Sequence, residues 1–509
     1  MIGARHAGHQ ELRAQLAARI AAVALSLAVV MAMAMSAHAA QPDQSSSPPV
    51  AVHVYLTTPD LNNALARKPD LTLAIQAKRP GGPEIEVDPR RRYQRFVGVG
   101  AAMTDTSAWL IHNQLSPAVR ARLMDNLFGA TGLRLNFLRV PIGASDFTAR
   151  RTPYSYDDLP RGRTDPGLRH FSIARDLPYV IPTLGQAIRL NPGLFLMASL
   201  WSPPGWMKTN GALNNRNGSG LLLASALRPL ASYLVRFLQA YTRQGIPIRA
   251  LTPQNEPGNP TRYPGVNLTE PAEASFITRY LTPALRRAQL STALYGFDWG
   301  WSRRSFAFAR RLERDPAAAK LTGIASHCYF GSPTVMDALH RENPRLTQIE
   351  SECSPGIVPY STSELEIASL RNWASALALW NLAVDPSGGP VQPPNRGCPG
   401  CTGLVTIDER THRVTPTLDL FQLGQLSKFV RPGAQRVAST HFVGYSYPGP
   451  NRNVASPGLD DVALRNPDGS TVLMVYDNSP RAAAFTVKEG PQRLRYALGP
   501  RATVTFTWR

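Results

Sequence analysis

The chain has 509 residues, of which 18% are charged, and its formal net charge is +20. This length exceeds one ordinary domain and suffices for a large α/β domain with a smaller companion. Four cysteines exclude a disulfide-rich scaffold. The positive charge suits an anionic cell envelope or a polyanionic glycan, whereas nucleic acid is disfavoured because the arginines are scattered and no basic run carries interleaved aromatics.

The first forty residues predict a secretory signal peptide. Three arginines precede an uncharged apolar stretch at 20–35, and small residues at 36–40 offer a cleavage site. A membrane anchor is the alternative, because sixteen apolar residues approach spanning length. The polar segment 41–49 is predicted to be a flexible linker, and the mature protein is expected to be secreted or periplasmic, with no stable protein partner.

The remainder of the chain predicts two kinds of architecture. Short strands are expected at 50–57, 71–75 and 84–87, inside a first segment of strands at 50–95. From residue 96 to residue 432, apolar runs alternate with amphipathic helices; Ser116, for example, is a suitable N-cap for a helix at 117–128. Eight such runs are predicted strands, at 96–100, 136–140, 195–200, 248–253, 293–297, 323–327, 347–352 and 376–382.

Eight alternations of strand and helix predict a (β/α)8 TIM barrel over 96–432. After residue 432 the helical pattern stops, and strands are expected at 462–465, 471–476, 483–487, 493–498 and 503–508, with a hairpin turn at 466–469. We expect the segment 433–509 to join 50–95 in one accessory β-sandwich formed from both chain ends.

Two glutamates end predicted barrel strands, where the active site of such a fold lies. Glu256 follows the fourth strand within Gln-Asn-Glu-Pro, and Glu352 ends the seventh. A pair of carboxyl groups is the minimum equipment for cleaving a glycosidic bond. Glu350 competes with Glu352, because residues two apart on a strand share a face.

Polar and aromatic residues at other strand ends suit sugar binding, because a sugar ring has apolar faces and a polar rim. The alternative for Trp201 and Trp380 is a place in the apolar core, and the alternative for His327 is a role in the scaffold. The candidate substrate-binding residues are Asp105, Arg139, Trp201, Asn255, His327, Tyr329 and Trp380.

The cysteines predict no metal site. Cys398 and Cys401 are expected to form a local disulfide, because no second ligand pair completes a zinc site. Cys328 and Cys353 are expected to be free and buried. The absence of a Gly-x-Ser-x-Gly segment disfavours a serine hydrolase.

At eight segments the chain resembles glycoside hydrolase family 30, which includes glucosylceramidases, β-glucosidases, β-xylosidases and β-1,6-glucanases. These segments are 96–105, 138–147, 198–211, 252–257, 323–329, 351–356, 380–390 and 423–437. The fragment 206–211 is most similar to the glucosylceramidase branch. Gln425 departs from the family pattern, which commonly has histidine there.

The resemblance implies a role for each candidate residue and no cofactor. Glu256 is the implied general acid/base and Glu352 the implied nucleophile of a retaining mechanism. Asn255 would bind the sugar 2-hydroxyl, Tyr329 would orient the nucleophile and Arg139 would keep it charged. Asp105, Trp201 and Trp380 would line the site of the cleaved sugar.

We therefore expect a secreted retaining β-glycosidase of the glucosylceramidase or β-glucosidase type, acting on a β-glucoside, a glycolipid or a β-glucan. An endo-β-1,6-glucanase or a β-xylosidase of the same family is the first alternative. A carbohydrate-binding protein that keeps the barrel without turnover is the second.

Overall fold

A computed structural model describes residues 48–76, 81–150, 152–392, 398–440 and 458–509. The predicted signal peptide at 1–40 and most of the predicted linker at 41–49 lie outside these ranges. Within them, no helix combines the length and the apolar character needed to cross a bilayer.

Eight parallel strands close into a barrel in chain order, preceded by three strands of another sheet. Those three are β1 (Val50–Thr57), β2 (Ala66–Ile75) and β3 (Glu84–Arg95). The barrel strands are β4 (Gly98–Ala102), β5 (Phe137–Ile142), β6 (Phe195–Leu200), β7 (Ala250–Thr252), β8 (Ala293–Gly300), β9 (Gly323–His327), β10 (Thr347–Cys353) and β11 (Ala374–Leu379). All eight predicted strands are present, with ends that differ by a few residues.

The barrel strands are continuous apolar runs because both of their faces are covered. Phe137, Met197, Tyr295 and Ile349 fill the interior with small alanines from neighbouring strands, so the barrel is a packed core that closes below the strand ends. Helices cover the outside, and they span Asp105–Asn113, Pro117–Phe128, Val180–Leu190, Leu227–Arg243, Glu270–Phe276, Thr282–Arg287, Arg303–Arg314, Thr334–Glu342, Thr362–Arg371 and Leu418–Ser427. Ser116 caps the second helix as predicted, accepting a hydrogen bond from Val119.

Strands from both chain ends form the second domain, which confirms the predicted fold class. After a small sheet of β12 (Ala383–Val384), β13 (Val405–Ile407) and β14 (Val414–Pro416), the chain continues with β15 (Gln435–Ser439), β16 (Leu459–Arg465), β17 (Thr471–Asp477), β18 (Ala483–Glu489), β19 (Gln492–Leu498) and β20 (Thr503–Trp508). The hydrogen-bonded order β1-β2-β19-β18-β3-β15-β16-β17-β20 closes on itself, so the two layers share strands at their edges.

Side chains of two barrel helices join the barrel to the β-sandwich. Arg371 forms a buried ion pair with Asp461 of β16, at 2.7 Å. Gln425 donates from Nε2 to the Thr57 hydroxyl of β1, at 2.7 Å. Gln425, which departs from the family pattern, therefore contributes a hydrogen bond between the two domains.

The expectation that Cys328 and Cys353 are free is wrong. They form a disulfide with Cα atoms 5.2 Å apart, because the ends of the adjacent strands β9 and β10 bring them together. The expected local disulfide between Cys398 and Cys401 is present.

Candidate active site

A fully buried arginine organises the carboxyl end of the barrel. Arg139 on β5 donates from Nη1 to Glu352 Oε2 at 2.5 Å, and from Nη2 to Asn255 Oδ1 at 2.7 Å. Nη2 also donates to Asp298 Oδ2, at 2.8 Å. A guanidinium holds several acceptors in one rigid geometry, so Arg139 aligns the ends of β7, β8 and β10.

His327, the last residue of β9, lies between three carboxylates. Its Nδ1 atom is 3.2 Å from Glu256 Oε1 and 3.7 Å from Glu352 Oε1, and its Nε2 atom is 3.2 Å from Asp298 Oδ1. Burial opposes the charge, but these carboxylates raise the pKa of His327 to about 10. The ring is therefore a cation at neutral pH, and its charge offsets part of the negative charge of the three carboxylates.

The two candidate catalytic carboxylates face each other across this histidine. A carboxylate oxygen of Glu256 and one of Glu352 lie within 4.8 Å of each other. Glu256 has a positive φ of 47°, and its Oε2 accepts hydrogen bonds from Asn259 Nδ2 at 2.6 Å and from the Tyr263 hydroxyl at 3.2 Å. Inverting enzymes hold their two carboxyl groups farther apart, at about 6.5–9.5 Å, to leave room for a water.

The two carboxyl groups of this pair have opposite pKa shifts. Burial raises the pKa of Glu352, with help from the negative charge of Glu256 and against the cations His327 and Arg139. Burial also acts on Glu256, but hydrogen bonds from His327 and Asn259 hold the pKa of Glu256 below its usual value. Because each charge influences the other, the two groups titrate as a unit.

Glu350, the competitor of Glu352, lies in a different environment. The pairing register of β10 with β9 shifts between Glu350 and Glu352, so the strand bulges and its alternation of faces breaks. A Glu350 oxygen lies within 4.8 Å of the sulfurs of Cys328 and Cys353. Burial raises the pKa of Glu350 well above its usual value, which keeps this carboxyl neutral.

Aromatic side chains form one wall beside the carboxylates. The rings of Trp201 and Trp380 stack with centroids 5.2 Å apart, and the Arg139 guanidinium lies 4.6 Å from the Trp201 ring. Tyr329 follows β9, and burial and the charge of the nearby Glu352 raise the pKa of its hydroxyl well above the usual value. The structure thus brings together eight of the nine predicted residues, which are Arg139, Trp201, Asn255, Glu256, His327, Tyr329, Glu352 and Trp380.

Asp105 is the predicted residue whose hydrogen bonds, among the described residues, go to partners outside this cluster. Its Oδ1 accepts from the Ala149 backbone at 2.8 Å, and its Oδ2 accepts from the hydroxyls of Tyr179 at 2.7 Å and Tyr154 at 3.3 Å. These bonds tie the start of a barrel helix to the long segment after β5. Asp105 therefore has a structural set of partners in the described part of the chain.

Three residues of the site were not singled out from the sequence. Asp298 on β8 binds both Arg139 and His327, and the rule that polar strand ends face the mouth could have found it. Burial and the charges of Glu352 and Glu256 raise the pKa of Asp146 to about 8, which places Asp146 in the field of the catalytic pair. Tyr263 lies in a loop, where sequence alone gives no comparable signal.

Comparisons with known proteins agree with this geometry. The model of the glycosyl hydrolase family 30 TIM-barrel domain matches residues 96–395, and that of the family's beta sandwich domain matches residues 433–506. The endo-1,6-beta-D-glucanase of Neurospora crassa is 32% identical over 401 residues, which cover 77% of this chain and 81% of the relative.

A mammalian relative and a solved bacterial structure extend the comparison. The lysosomal acid glucosylceramidase of Mus musculus is 32% identical over 470 residues, covering 86% of this chain and 85% of the relative. The crystal structure of SrfJ from Salmonella typhimurium superposes with a TM-score of 0.80 and 25% identity, covering 90% of this chain and 99% of SrfJ. The chain therefore belongs to glycosyl hydrolase family 30 and is a glycosidase that hydrolyses O-glycosyl bonds.

Proposed function

We propose that the protein is an exported β-glucosidic hydrolase that retains anomeric configuration by double displacement. The observation that carries this proposal is the approach of a Glu256 oxygen to a Glu352 oxygen within 4.8 Å. Retaining glycosidases hold their carboxyl groups about 5–5.5 Å apart, whereas inverting enzymes need about 6.5–9.5 Å.

In the proposed first step, Glu352 attacks the anomeric carbon and Glu256 protonates the leaving oxygen. Arg139 holds the attacking carboxylate through its hydrogen bond to Oε2, and the Tyr329 hydroxyl lies beside it. Asn255, fixed by Arg139, binds the neighbouring sugar hydroxyl, and the stacked tryptophans form an apolar wall. Water then hydrolyses the glycosyl ester, with Glu256 acting as base.

The charges of the site support the second of these steps, in which Glu256 acts as a base. The site holds three carboxylates and two cations, namely Glu256, Glu352, Asp298, Arg139 and His327. One negative charge is therefore in excess, and this excess favours a proton on the carboxylate pair. In the free site the raised pKa of Glu352 and the lowered pKa of Glu256 favour that proton on Glu352, so the proposed first step requires the proton to lie on Glu256 once the substrate is bound. When Glu352 becomes a neutral ester, the bonds to Glu256 favour the carboxylate, which is the form that a base requires.

We propose a glucosyl group as the cleaved sugar and β-1,6-glucan as the leading substrate. Both curated relatives named above carry glucose in their names, as a 1,6-beta-D-glucanase and as a glucosylceramidase. The basic chain, with its formal charge of +20, suits a substrate embedded in an anionic envelope.

Glucosylceramide is the second candidate, because apolar side chains are exposed around the mouth. Phe330 follows β9 and is 78% exposed, while Leu221 and Ile357 lie on loops after β6 and β10 with 47% and 42% exposure. These loops leave the carboxyl ends of the strands, where the barrel opens. An apolar rim would contact the lipid part of a glycolipid.

Product analysis on three substrates tests the proposal. Purified mature protein is incubated with β-1,6-glucan, with glucosylceramide in mixed micelles and with an aryl β-xyloside, beside a Glu256→Gln control. Oligosaccharides from the glucan support the leading substrate, and glucose from the lipid alone favours the second. Binding without turnover on every substrate would favour a carbohydrate-binding protein and would contradict the proposed hydrolysis.

A further inference from the structure

A cluster of two aspartates and a histidine lies in the long segment after β5. A carboxylate oxygen of Asp157, one of Asp165 and a ring nitrogen of His170 lie within 4.8 Å of one another. The spacing of the three residues matches no metal-binding motif, so the sequence predicted no site here. They belong neither to the catalytic cluster nor to its contacts.

The Asp157 carboxylate is the informative member of the cluster. The residue is 1% exposed, and its Oδ1 atom has no hydrogen-bond partner among the described residues, whereas Oδ2 accepts from Trp206 Nε1 at 3.0 Å. A buried carboxylate oxygen without a partner is costly unless a cation or a proton compensates it. In the described ranges, no arginine or lysine forms an ion pair with Asp157 or Asp165.

The other two side chains are already oriented toward each other. Asp165 Oδ2 accepts from the His170 backbone at 2.8 Å and lies 2.9 Å from His170 Nδ1. In metal sites a carboxylate that holds one ring nitrogen in this way leaves the other ring nitrogen to bind the ion. The His170 side chain is 66% exposed, so it can move and solvent can complete a coordination sphere.

We propose that Asp157, Asp165 and His170 bind a divalent transition-metal ion of the zinc class. One imidazole with two carboxylates suits Zn²⁺ better than Ca²⁺, which prefers oxygen ligands throughout. Tetrahedral zinc with bonds of about 2.0–2.1 Å holds its ligand atoms roughly 3.4 Å apart. The cluster therefore needs only a small rearrangement, in which the 2.9 Å contact between Asp165 and His170 Nδ1 opens.

The ion would act on the loop that follows β6. Asp157 holds Trp206 through its second oxygen, and Trp206 belongs to that loop at the carboxyl end of the barrel. Metal binding would therefore fix the segment 157–170 and, through Asp157, the position of Trp206. This role is structural, and it does not depend on the substrate or on the proposed mechanism.

Zinc titration of the untagged mature protein tests the site. Isothermal calorimetry and thermal unfolding are recorded with ZnCl₂, and with CaCl₂ for comparison, for wild type, Asp157→Asn, His170→Gln, Glu352→Gln and the control His53→Gln. His53 is a matched control, because it is an exposed histidine 3.1 Å from an aspartate, Asp70, without a third ligand in its cluster. Circular dichroism verifies that each variant is folded.

We expect saturable Zn²⁺ binding that raises the melting temperature in wild type and in His53→Gln. Binding should weaken at least roughly tenfold in Asp157→Asn and in His170→Gln, of which the exposed His170 is the safer for folding. Unchanged binding in both variants, no saturable binding, or saturation by CaCl₂ but not ZnCl₂ would overturn the proposal. Binding lost only in Glu352→Gln would place the ion at the catalytic cluster and would overturn it as well.

Discussion

Glu350 and Glu352 lie two positions apart on β10 in opposite environments. Glu352 is held by Arg139, whereas Glu350 is neutral beside the disulfide of Cys328 and Cys353. The bulge between the two glutamates produces this difference, and no sequence pattern predicts a bulge at this position. The sequence could therefore identify both candidates but could not separate their surroundings.

We predict that Glu352→Gln lowers kcat on the order of 10⁴-fold or more, because it removes the nucleophile. Glu350→Gln is the matched control on the same strand, and it should leave kcat within a few-fold, because glutamine resembles the protonated acid. Steady-state kinetics on an aryl β-glucoside measures both variants. Equal losses in the two variants would contradict the assignment.

We predict a bell-shaped dependence of kcat/KM on pH, since turnover requires one proton on the carboxylate pair. The pKa of His327 is raised to about 10, so this cation stays beside the pair across the active range. His327→Gln removes it, which should raise the pKa of both carboxyl groups and move the bell to higher pH by about 1 unit. Circular dichroism controls for folding; an unmoved or lowered optimum would contradict this role.

Two other residues show what the sequence predicts well and what it predicts poorly. Arg139 was predictable because an arginine inside an apolar strand is buried, and a buried guanidinium needs carboxylate partners. Asp298 was missed although it occupies an equivalent strand end, and Asp105 was grouped with the sugar-binding residues although its partners are Tyr154, Tyr179 and a backbone amide. The end of a strand can be predicted from the sequence, but the direction in which its side chains point depends on tertiary contacts.

Among the elements, the barrel strands were the most predictable. β6, β9 and β10 match their predicted ranges within one residue, because buried parallel strands are continuous apolar runs. The strands β12 to β15 were missed, since two to five residues carry no periodicity. The long segment after β5 has few regular elements and contains the proposed metal site, which the sequence did not indicate.

The disulfide between β9 and β10 is expected to stabilise the fold and to fix the ends of both strands. It closes a loop with a sequence separation of 25 residues, and it lies next to His327 and Glu352. Replacing both cysteines by alanine should lower the free energy of unfolding by roughly 3.5 kcal/mol. Activity should fall as well, because the ends of both strands lose a fixed separation.

The disulfide of Cys398 and Cys401 provides the control, because its sequence separation is only 3 residues. Its removal should cost roughly 2 kcal/mol or less and should spare kcat. Urea denaturation of both double variants measures the difference. A larger loss from the short loop would contradict the argument from loop closure.

At the scale of the molecule, the two chain ends meet in a β-sandwich that packs on barrel helices. Asp461 and Arg371 form a buried ion pair across this contact. Arg371→Ala should lower the free energy of unfolding by about 3–5 kcal/mol, because it leaves the Asp461 charge buried without compensation.

Arg341→Ala is the matched control for this substitution. Its side chain is 71% exposed and pairs with Asp337 within one helix, so its loss should cost about 1 kcal/mol or less. Thermal and urea unfolding compare the two variants. Equal stability of the variants would show that the domains do not depend on this ion pair.

The central claim, double displacement by Glu256 and Glu352, is tested most directly by the stereochemistry of the first product. Proton NMR follows wild-type hydrolysis of an aryl β-glucoside from the first turnover, before the released sugar mutarotates. The approach of the two carboxylates within 4.8 Å predicts β-glucose as the initial product. Initial release of α-glucose would mean inversion and would contradict the account.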